Sequence, residues 1–514
     1  MSQRLKKILL LLLAAALLVG AGQVQKSLNR DRKQLDLTRM EPLKNAPPLL
    51  AFTTVALGGF RGLISNFLWI RANNLQQEDK FFEAVQLANW ITDLEPHFAQ
   101  VWAYQAWNMA WNISVKFSDF NDRWRWVQRG IELLRDNALR YNPDDTLIYF
   151  NLSWIFQSKM GQNSDDANQY YKAQWAEEMS PFFGPNGTNL DELITPQTPE
   201  AQARVKLLRE KYKIDPVLVK KVNDEWGPLD WRVSEAHAIY WAAAGLKKAR
   251  ENPTKVDQAD LIKLRRVIYQ SMLQAFFHGR LVANPFNKTL EAYPDLELVS
   301  KVNDVYETMF AEEPSAGQRD GIQTSQRNFL GQAVYYLYED NRIAEAEKWF
   351  RYLCKKYPDK SVVGGPDIPP SQMTLDEFAL IFVQADLNEA SQDQAEAMIE
   401  GLLTRAYYAL VIGDSDRYSG FKLLAGKIHE HYQSKLTYAN GKERVGLPPF
   451  SSINRTVLNQ LLDPKQGIPY AMRSVIRTQL GLPAESSLPS APVVSTNMPS
   501  NLPTSTNTVT VPVK

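Results

Sequence analysis

The pattern of apolar and polar positions changes character twice along the chain. Residues 8 to 21 form an unbroken apolar run, Ile-Leu-Leu-Leu-Leu-Leu-Ala-Ala-Ala-Leu-Leu-Val-Gly-Ala, behind Arg4, Lys6 and Lys7. A run with no polar face suits neither a surface helix nor a half-buried one, and basic-then-apolar is the order of an export signal or signal-anchor, here residues 1–24. Fourteen residues fall below the roughly 17 to 25 that span a bilayer, which favours a cleaved signal with Val19 and Ala21 before the cut. Extension to Val24 gives about 17, enough for a thin membrane. Lys26, Arg30, Arg32, Lys33 and Arg39 follow on the far side, against the positive-inside rule.

After a polar linker, residues 25–46, a second apolar stretch runs from Pro47 to Ile70. Arg61 interrupts it, and only 12 residues from Leu49 to Phe60 lack charge, so a buried or membrane-surface helix pair is expected rather than a span. Gly58 and Gly62 stand at the spacing that lets helices approach closely.

Beyond residue 60 apolar residues recur at helical spacing, with almost no alternating β-branched runs, which predicts an all-α chain. A 34-residue, two-helix unit starting at Ser65 places Ala72 and Ala84 at its small positions 8 and 20 and Pro96 at position 32, where the second helix must stop. A second unit opens at Ala99 with Trp102 at position 4 and Ala106 at 8. An insertion around Asp119 to Asp122 delays its second helix, so that Ala138 and Pro143 end it, 47 residues after Pro96. A third opens at Thr146 with Tyr149 at 4 and Ser153 at 8. Arg327 to Pro358 repeats the plan, with Leu330, Leu337, Ala346 and Phe350 in register and Asp340-Asn341 as its turn.

The pattern divides the chain into Trp-rich helical repeats at 47–180, an irregular insertion at 181–230, long helices at 231–312 (Ser234 to Arg250 and Gln258 to Val282), a repeat at 313–365 and C-terminal helices at 366–482, with Gly413 as a stop signal. Residues 483–514 hold six prolines and two charges, and are expected to be disordered.

Composition adds three limits. The chain is 514 residues long, about three to four average domains, and 58 Lys and Arg against 57 Asp and Glu exclude a strongly basic or acidic scaffold. Its one cysteine, Cys354, excludes an intramolecular disulfide framework and any cysteine-based metal cluster. Twelve of 13 tryptophans lie between Trp69 and Trp241, which makes the chain compositionally two-part.

The large–small–proline spacing over about 65–175 and 327–360 resembles the tetratricopeptide repeat (TPR) family. That resemblance implies a right-handed α-solenoid of helix-turn-helix pairs, here with irregular insertions, whose inner groove binds partners. Ser153 and Val334 depart from it, standing at position 8 where the family has Gly or Ala. The segments Phe-Thr-Thr-Val-Ala-Leu-Gly-Gly-Phe-Arg-Gly-Leu-Ile at 52–64 and Trp-Gly-Pro-Leu-Asp-Trp-Arg at 226–232 also resemble uncharacterised bacterial membrane-anchored proteins with TPR-like repeats. That likeness implies architecture only.

No catalytic signature is present. His429 and His431 are two apart, and on a helix they diverge instead of chelating as the pair in H-E-x-x-H does. His237, among aromatics, reads as a hydrogen-bonded core residue. Gly58 to Gly62 lacks the Lys-Ser/Thr of a phosphate loop, and Glu177-Glu178 and Glu312-Glu313 would diverge on a helix. Arg123, Arg125 and Arg129, interleaved with Trp124 and Trp126, read as arginines stacked on tryptophan in preference to a nucleic-acid or headgroup contact. No metal, cofactor or nucleic acid is expected.

By analogy with the family, positions 2, 5, 9 and 12 of each first helix face the groove. The partner-binding residues expected there are Asn66, Trp69, Asn73 and Gln76, then Gln100 and Trp107, then Phe150, Trp154 and Gln157. Aromatic faces with amides suit an extended peptide, and also sugars; core packing is the competing reading of the same tryptophans. The expectation is a non-enzymatic scaffold binding a protein or peptide segment in the bacterial envelope. It would be anchored in the inner membrane by its N-terminus with its bulk outside the cytoplasm, or else cleaved and periplasmic. Two other functions compete: a glycan-active envelope enzyme, marked by an acid of raised pKa near Trp154 or Trp241, and a structural subunit of a secretion or surface-assembly machine.

Overall fold

In the computed structural model, residues 60–162, 165–184, 190–253, 258–283, 290–362, 368–384, 392–435 and 446–485 are described, together with residue 17 and residues 19–24, 26–28 and 30–31, which are helical and exposed. Most of the N-terminal signal and linker, residues 47–59, and the tail from 486 lie outside them. Among the described residues no helix is long and apolar enough to cross a membrane. The chain divides into two compact units, residues 1–275 and 276–514.

The first unit is all-α. Helix α1 (Phe60–Gln77) pairs with α2 (Phe81–Leu94) through a turn in which Asp79 takes a positive φ. Ala72 and Ala84, expected at the close approach, are both fully buried. The segment 99–116 is helical throughout, as α3 (Ala99–Trp107) continued by a π-helical stretch (Asn108–Ile113) and one 3-10 turn. α4 (Phe120–Glu132) starts after Asp119, whose carboxylate accepts from the backbone N–H groups of Asn121 and Asp122, and runs on through a second π-helical stretch. α5 (Thr146–Trp154) is continued by a third, Ile155–Gly161.

The region expected to be irregular is helical. α6 (Asn168–Met179) precedes it, and it carries α7 (Leu190–Ile194), α8 (Pro199–Lys211) and α9 (Pro216–Trp226). Thr198 and Asp215 cap α8 and α9 by accepting from Ala201 and Val217, and the prolines that suggest a loop sit at the first helical position, where a missing N–H costs nothing. Chain packing then returns to α5, against which α10 (Ser234–Glu251) lies. Gly245 marks the crossing: a Cβ there would stand 2.7 Å from the Tyr149 Cβ and 3.0 Å from a Leu264 methyl. α11 (Gln258–His278) ends before the expected Val282, because the chain turns into a strand there.

The second unit opens with that strand. β1 (Arg280–Ala283) pairs antiparallel with β2 (Leu290–Tyr293), a hairpin the helical periodicity did not announce. α12 (Val299–Glu312) packs on α13 (Ala316–Glu339), which begins 11 residues before the expected repeat, and α13 pairs with α14 (Ile343–Lys356) around Asn341 at positive φ, as the Asp340-Asn341 turn predicts. α15 (Leu375–Gln384) starts with a capping box: Thr374 N–H donates to the Glu377 carboxylate, and Glu377 N–H donates to the Thr374 hydroxyl. α16 (Gln392–Val411) and α17 (Ser415–Lys435) form an antiparallel pair broken by Gly413 at φ 81°, and α18 (Phe450–Leu462) and α19 (Tyr470–Gln479) pack on α16. Cys354 on α14 is only half-buried.

Candidate functional site

One local hydrogen bond recurs in the first unit at a fixed place in the register of its helices. Trp102 Nε1–H donates to the Pro96 carbonyl at 2.9 Å, and the Tyr149 hydroxyl donates to the Pro143 carbonyl at 2.9 Å. His237 Nε2 stands 2.9 Å from the Trp231 carbonyl, to which it donates. Each is a polar aromatic in the first turn of a helix bonded to the carbonyl six residues back, a group the helix itself leaves unpaired. The first two copies are 47 residues apart, as are Trp107 and Trp154. The π-helical stretches at 108–113 and 155–161 keep nearly the same offset.

That register brings three aromatic rings into one column across α3 and α5. Trp154 stacks on Trp111 at 4.5 Å between centroids, 16° from parallel, and on Phe150 at 6.3 Å and 14°. All three are half-buried. The Lys263 ammonium lies 5.5 Å from the Phe150 centroid, and the Lys159 ammonium 6.0 Å from that of Trp111. Ring faces are thus largely occupied by one another and by cations. What remains toward solvent are ring edges and indole N–H groups. Those of Trp107, Trp111 and Trp154 donate to nothing among the described residues, yet are not sealed from solvent.

The other expected groove residues separate. Asn66 and Gln100 are exposed, Asn73 and Gln76 half-buried, and none makes a side-chain hydrogen bond among the described residues. Trp69 is half-buried at a helix junction, edge-on to Tyr104 at 4.9 Å and tilted on Phe98 at 6.1 Å. Gln157 does not face a groove: it is 2% exposed, and its amide donates to Gln270 of α11. The position-12 analogy fails there because the π-helical stretch, with its extra residue per turn, rotates residues after 154 out of phase with a regular helix.

Two buried polar clusters were missed in the sequence. Beneath the column, Asp165 pairs with Lys159 and, at 2.6 Å, with Arg123, and all three side chains are at most 7% exposed. Burial pushes the Lys159 ammonium below its ordinary value. Burial also works to raise Asp165, but Lys159, the Ala167 N–H and Arg123 together hold it below the carboxylate range. Arg123 is therefore unavailable to a nucleic acid, whereas Arg129 stacks on Trp126 at 4.7 Å, as the Arg-Trp alternation suggests. Sequence distance hid this cluster, since its members come from α4, the π-helical turn after α5 and the loop before α6.

The second cluster surrounds α10. His237 is enclosed by the rings of Phe156, Trp175, Phe183 and Trp231, and burial drops it to about 4, so it is neutral near pH 7. It is the core histidine that its neighbours imply. Glu235 is 1% exposed and burial raises its carboxyl. Its Oε1, the Gln274 Oε1 and the Phe156 carbonyl all lie within 3.4 Å of the Cβ that Gly161 lacks, and both side-chain oxygens are without a donor. Glu235 is thus an acid of raised pKa on the helix of Trp241, but it is sealed from solvent in this conformation. The Trp-Gly-Pro-Leu-Asp-Trp-Arg segment serves the same core: Arg232 holds Asp230 at 2.9 and 2.6 Å, and the Trp231 carbonyl caps His237.

In the second unit Arg280, Tyr293, Tyr336, Glu339, Asp340 and Arg417 line a cleft with about 10 Å³ of free space, room for about one water. Arg417 lies 4.2 Å from the Tyr293 ring and pairs with Asp340 at 3.5 Å, while burial and the neighbouring Asp414 push Asp340 up to about 6. His429 donates to the Pro448 carbonyl at 2.8 Å. No group of three or more His, Cys, Asp or Glu side chains among the described residues could hold a metal. Set against known proteins, the chain matches no family profile, no curated sequence and no solved structure.

Proposed function

We propose that this protein is a non-enzymatic, membrane-attached scaffold whose helix pairs continue as a right-handed TPR-like solenoid and bind an extended protein segment in the bacterial envelope. The observation that carries the reading is the Phe150–Trp154–Trp111 column, whose rings are half-buried and whose indole N–H groups are unbonded among the described residues and not sealed from solvent. Ring edges are electropositive and N–H groups are donors, so the partner brings oxygens, as the carbonyls of an extended backbone do. A sugar needs an open ring face to stack on, and in this column the faces are largely taken. The peptide reading is therefore preferred over the glycan one. Trp107, Asn73, Gln76 and Gln100 would extend the contact with polar groups not already bonded.

A photocrosslinking residue at Gln100 of the full chain, expressed in a bacterial host, tests this. Expected is a discrete crosslinked envelope protein, lost in Trp154→Ala and reduced in Trp107→Ala with unchanged thermal stability. Crosslinks that persist in Trp154→Ala, or a parallel loss of stability, would assign the column to the core alone.

A further inference from the structure

Helix α1 is apolar on two opposite sides. Ser65, Leu68, Ala72 and Leu75 turn inward, while Leu63, Phe67 and Ile70 lie on the opposite side at 65%, 70% and 61% exposure, with Ile64 beside them. At spacing i, i+4, i+7 they form a single ridge that no described residue covers. The helix's only charges are Arg61 and Arg71.

Charge is distributed to match. Residues 1–77 hold eleven Lys and Arg against three Asp and Glu, a net +8, which leaves 47 against 54, a net −7, in residues 78–514. The near-neutral whole therefore conceals a basic, apolar beginning joined to an acidic remainder. A helix with an apolar ridge and basic flanks, following a basic stretch, has the composition of one that lies in the headgroup region of an anionic bilayer. A protein partner for such a ridge would need no basic excess around it.

We infer that the Leu63–Phe67–Ile70 ridge of α1 seats on an anionic lipid surface and sets the orientation of the first unit on the membrane. The inference extends attachment from the N-terminal apolar run to a face of the folded unit, and it does not depend on what the aromatic column binds.

The test uses the full chain in a Cys354→Ser background with a fluorophore on Phe67→Cys, and a reference label on Gln202→Cys of α8, an exposed position. Vesicles of phosphatidylglycerol and phosphatidylethanolamine carry a doxyl-lipid quencher, and iodide quenches from the water. Expected is doxyl quenching at residue 67 several-fold above that at 202, lost when the label is moved to Leu63→Cys and Phe67→Asp and Ile70→Asp are added. Because the ridge points away from the core, those variants keep their melting temperature. Cosedimentation with vesicles reads the N-terminal attachment separately. Iodide access at 67 equal to that at 202 would overturn the inference, and so would shielding from both quenchers, which means that residues 47–59 or a second copy cover the ridge.

Discussion

Two buried acidic sites, one in each unit, sit in different surroundings. In the first, Glu235 is enclosed with no salt bridge among the described residues, and desolvation raises its carboxyl. In the second, Glu339 and Asp340 end α13 beside cations: Arg405 reaches Glu339 at 2.9 Å and Arg417 reaches Asp340 at 3.5 Å. Desolvation raises both acids there too, but arginines lie close by. An enclosed acid without a cation and an acid beside arginine at a cleft should differ in what their removal costs. The aromatic column sits above Asp165, which is buried like Glu235 but paired with Lys159 and Arg123.

The largest effect expected from this contrast is at Asp165. Removing its carboxylate in Asp165→Ala leaves Lys159 and Arg123 buried without their shared partner, and should cost about 3–5 kcal/mol. Twelve of the 13 tryptophans lie between Trp69 and Trp241, so tryptophan fluorescence in urea reports the first unit almost alone. Its midpoint should fall sharply in Asp165→Ala and stay put in Asp340→Asn. Equal shifts would show that the sealed network is no more demanding than the open one.

Much of the fold was legible, for identifiable reasons. Residues 99–116 are helical as the spacing of Trp102, Ala106 and Met109 demands, and Gly413 and Asn341 take the left-handed conformations that their turns require. Ala72 and Ala84 are buried because two helices meet there. The helices after residue 190 were misread, since Pro199 and Pro216 mark loops only when the capping Thr198 and Asp215 before them are overlooked. The candidate site was legible in part. Phe150 and Trp154 do join one column, but Gln157 is turned inward by a π-helical stretch that has no signature in hydrophobic period. Lys159 and Asp165 could not be read at all, because an ion pair beneath an aromatic surface leaves no pattern in the chain.

A smaller and more informative effect separates the two acids by pH. Asp340 has a folded value of about 6 against about 3.8 when exposed, so the folded state holds the proton more tightly and stability falls as pH rises between those values, then levels. Asp340→Asn should therefore match the parent below about pH 4 and exceed it above pH 6 by about 1–2 kcal/mol, discounted for screening by Arg417. Glu235 is raised as well, so its penalty begins above about 4.5 and grows by up to about 1.4 kcal/mol per pH unit until the folded carboxyl ionises. Glu235→Gln, which stays neutral throughout, should gain on the parent across that range. Urea titrations from pH 4 to 9 check both, and a Glu235→Gln curve parallel to the parent would mean that Glu235 is already charged.

The smallest expected effect tests whether the recurring cap sets the repeat. Tyr149→Phe deletes one hydroxyl and leaves the Pro143 carbonyl without that donor, a loss of about 1 kcal/mol. His237→Phe does the same at Trp231 inside the four-ring cage, where water cannot replace the lost bond, and should cost more than Tyr149→Phe. Tyr149 is 7% exposed and His237 is fully buried, so the order follows from desolvation alone. Thermal melts of the two variants at pH 7.5, where His237 is neutral, give the comparison directly. If Tyr149→Phe costs nothing, the six-residue bond is a by-product of where the aromatics pack. If both variants lose stability in the expected order, the bond itself helps hold successive helices at one pitch, and the column of Phe150, Trp154 and Trp111 inherits its alignment from it.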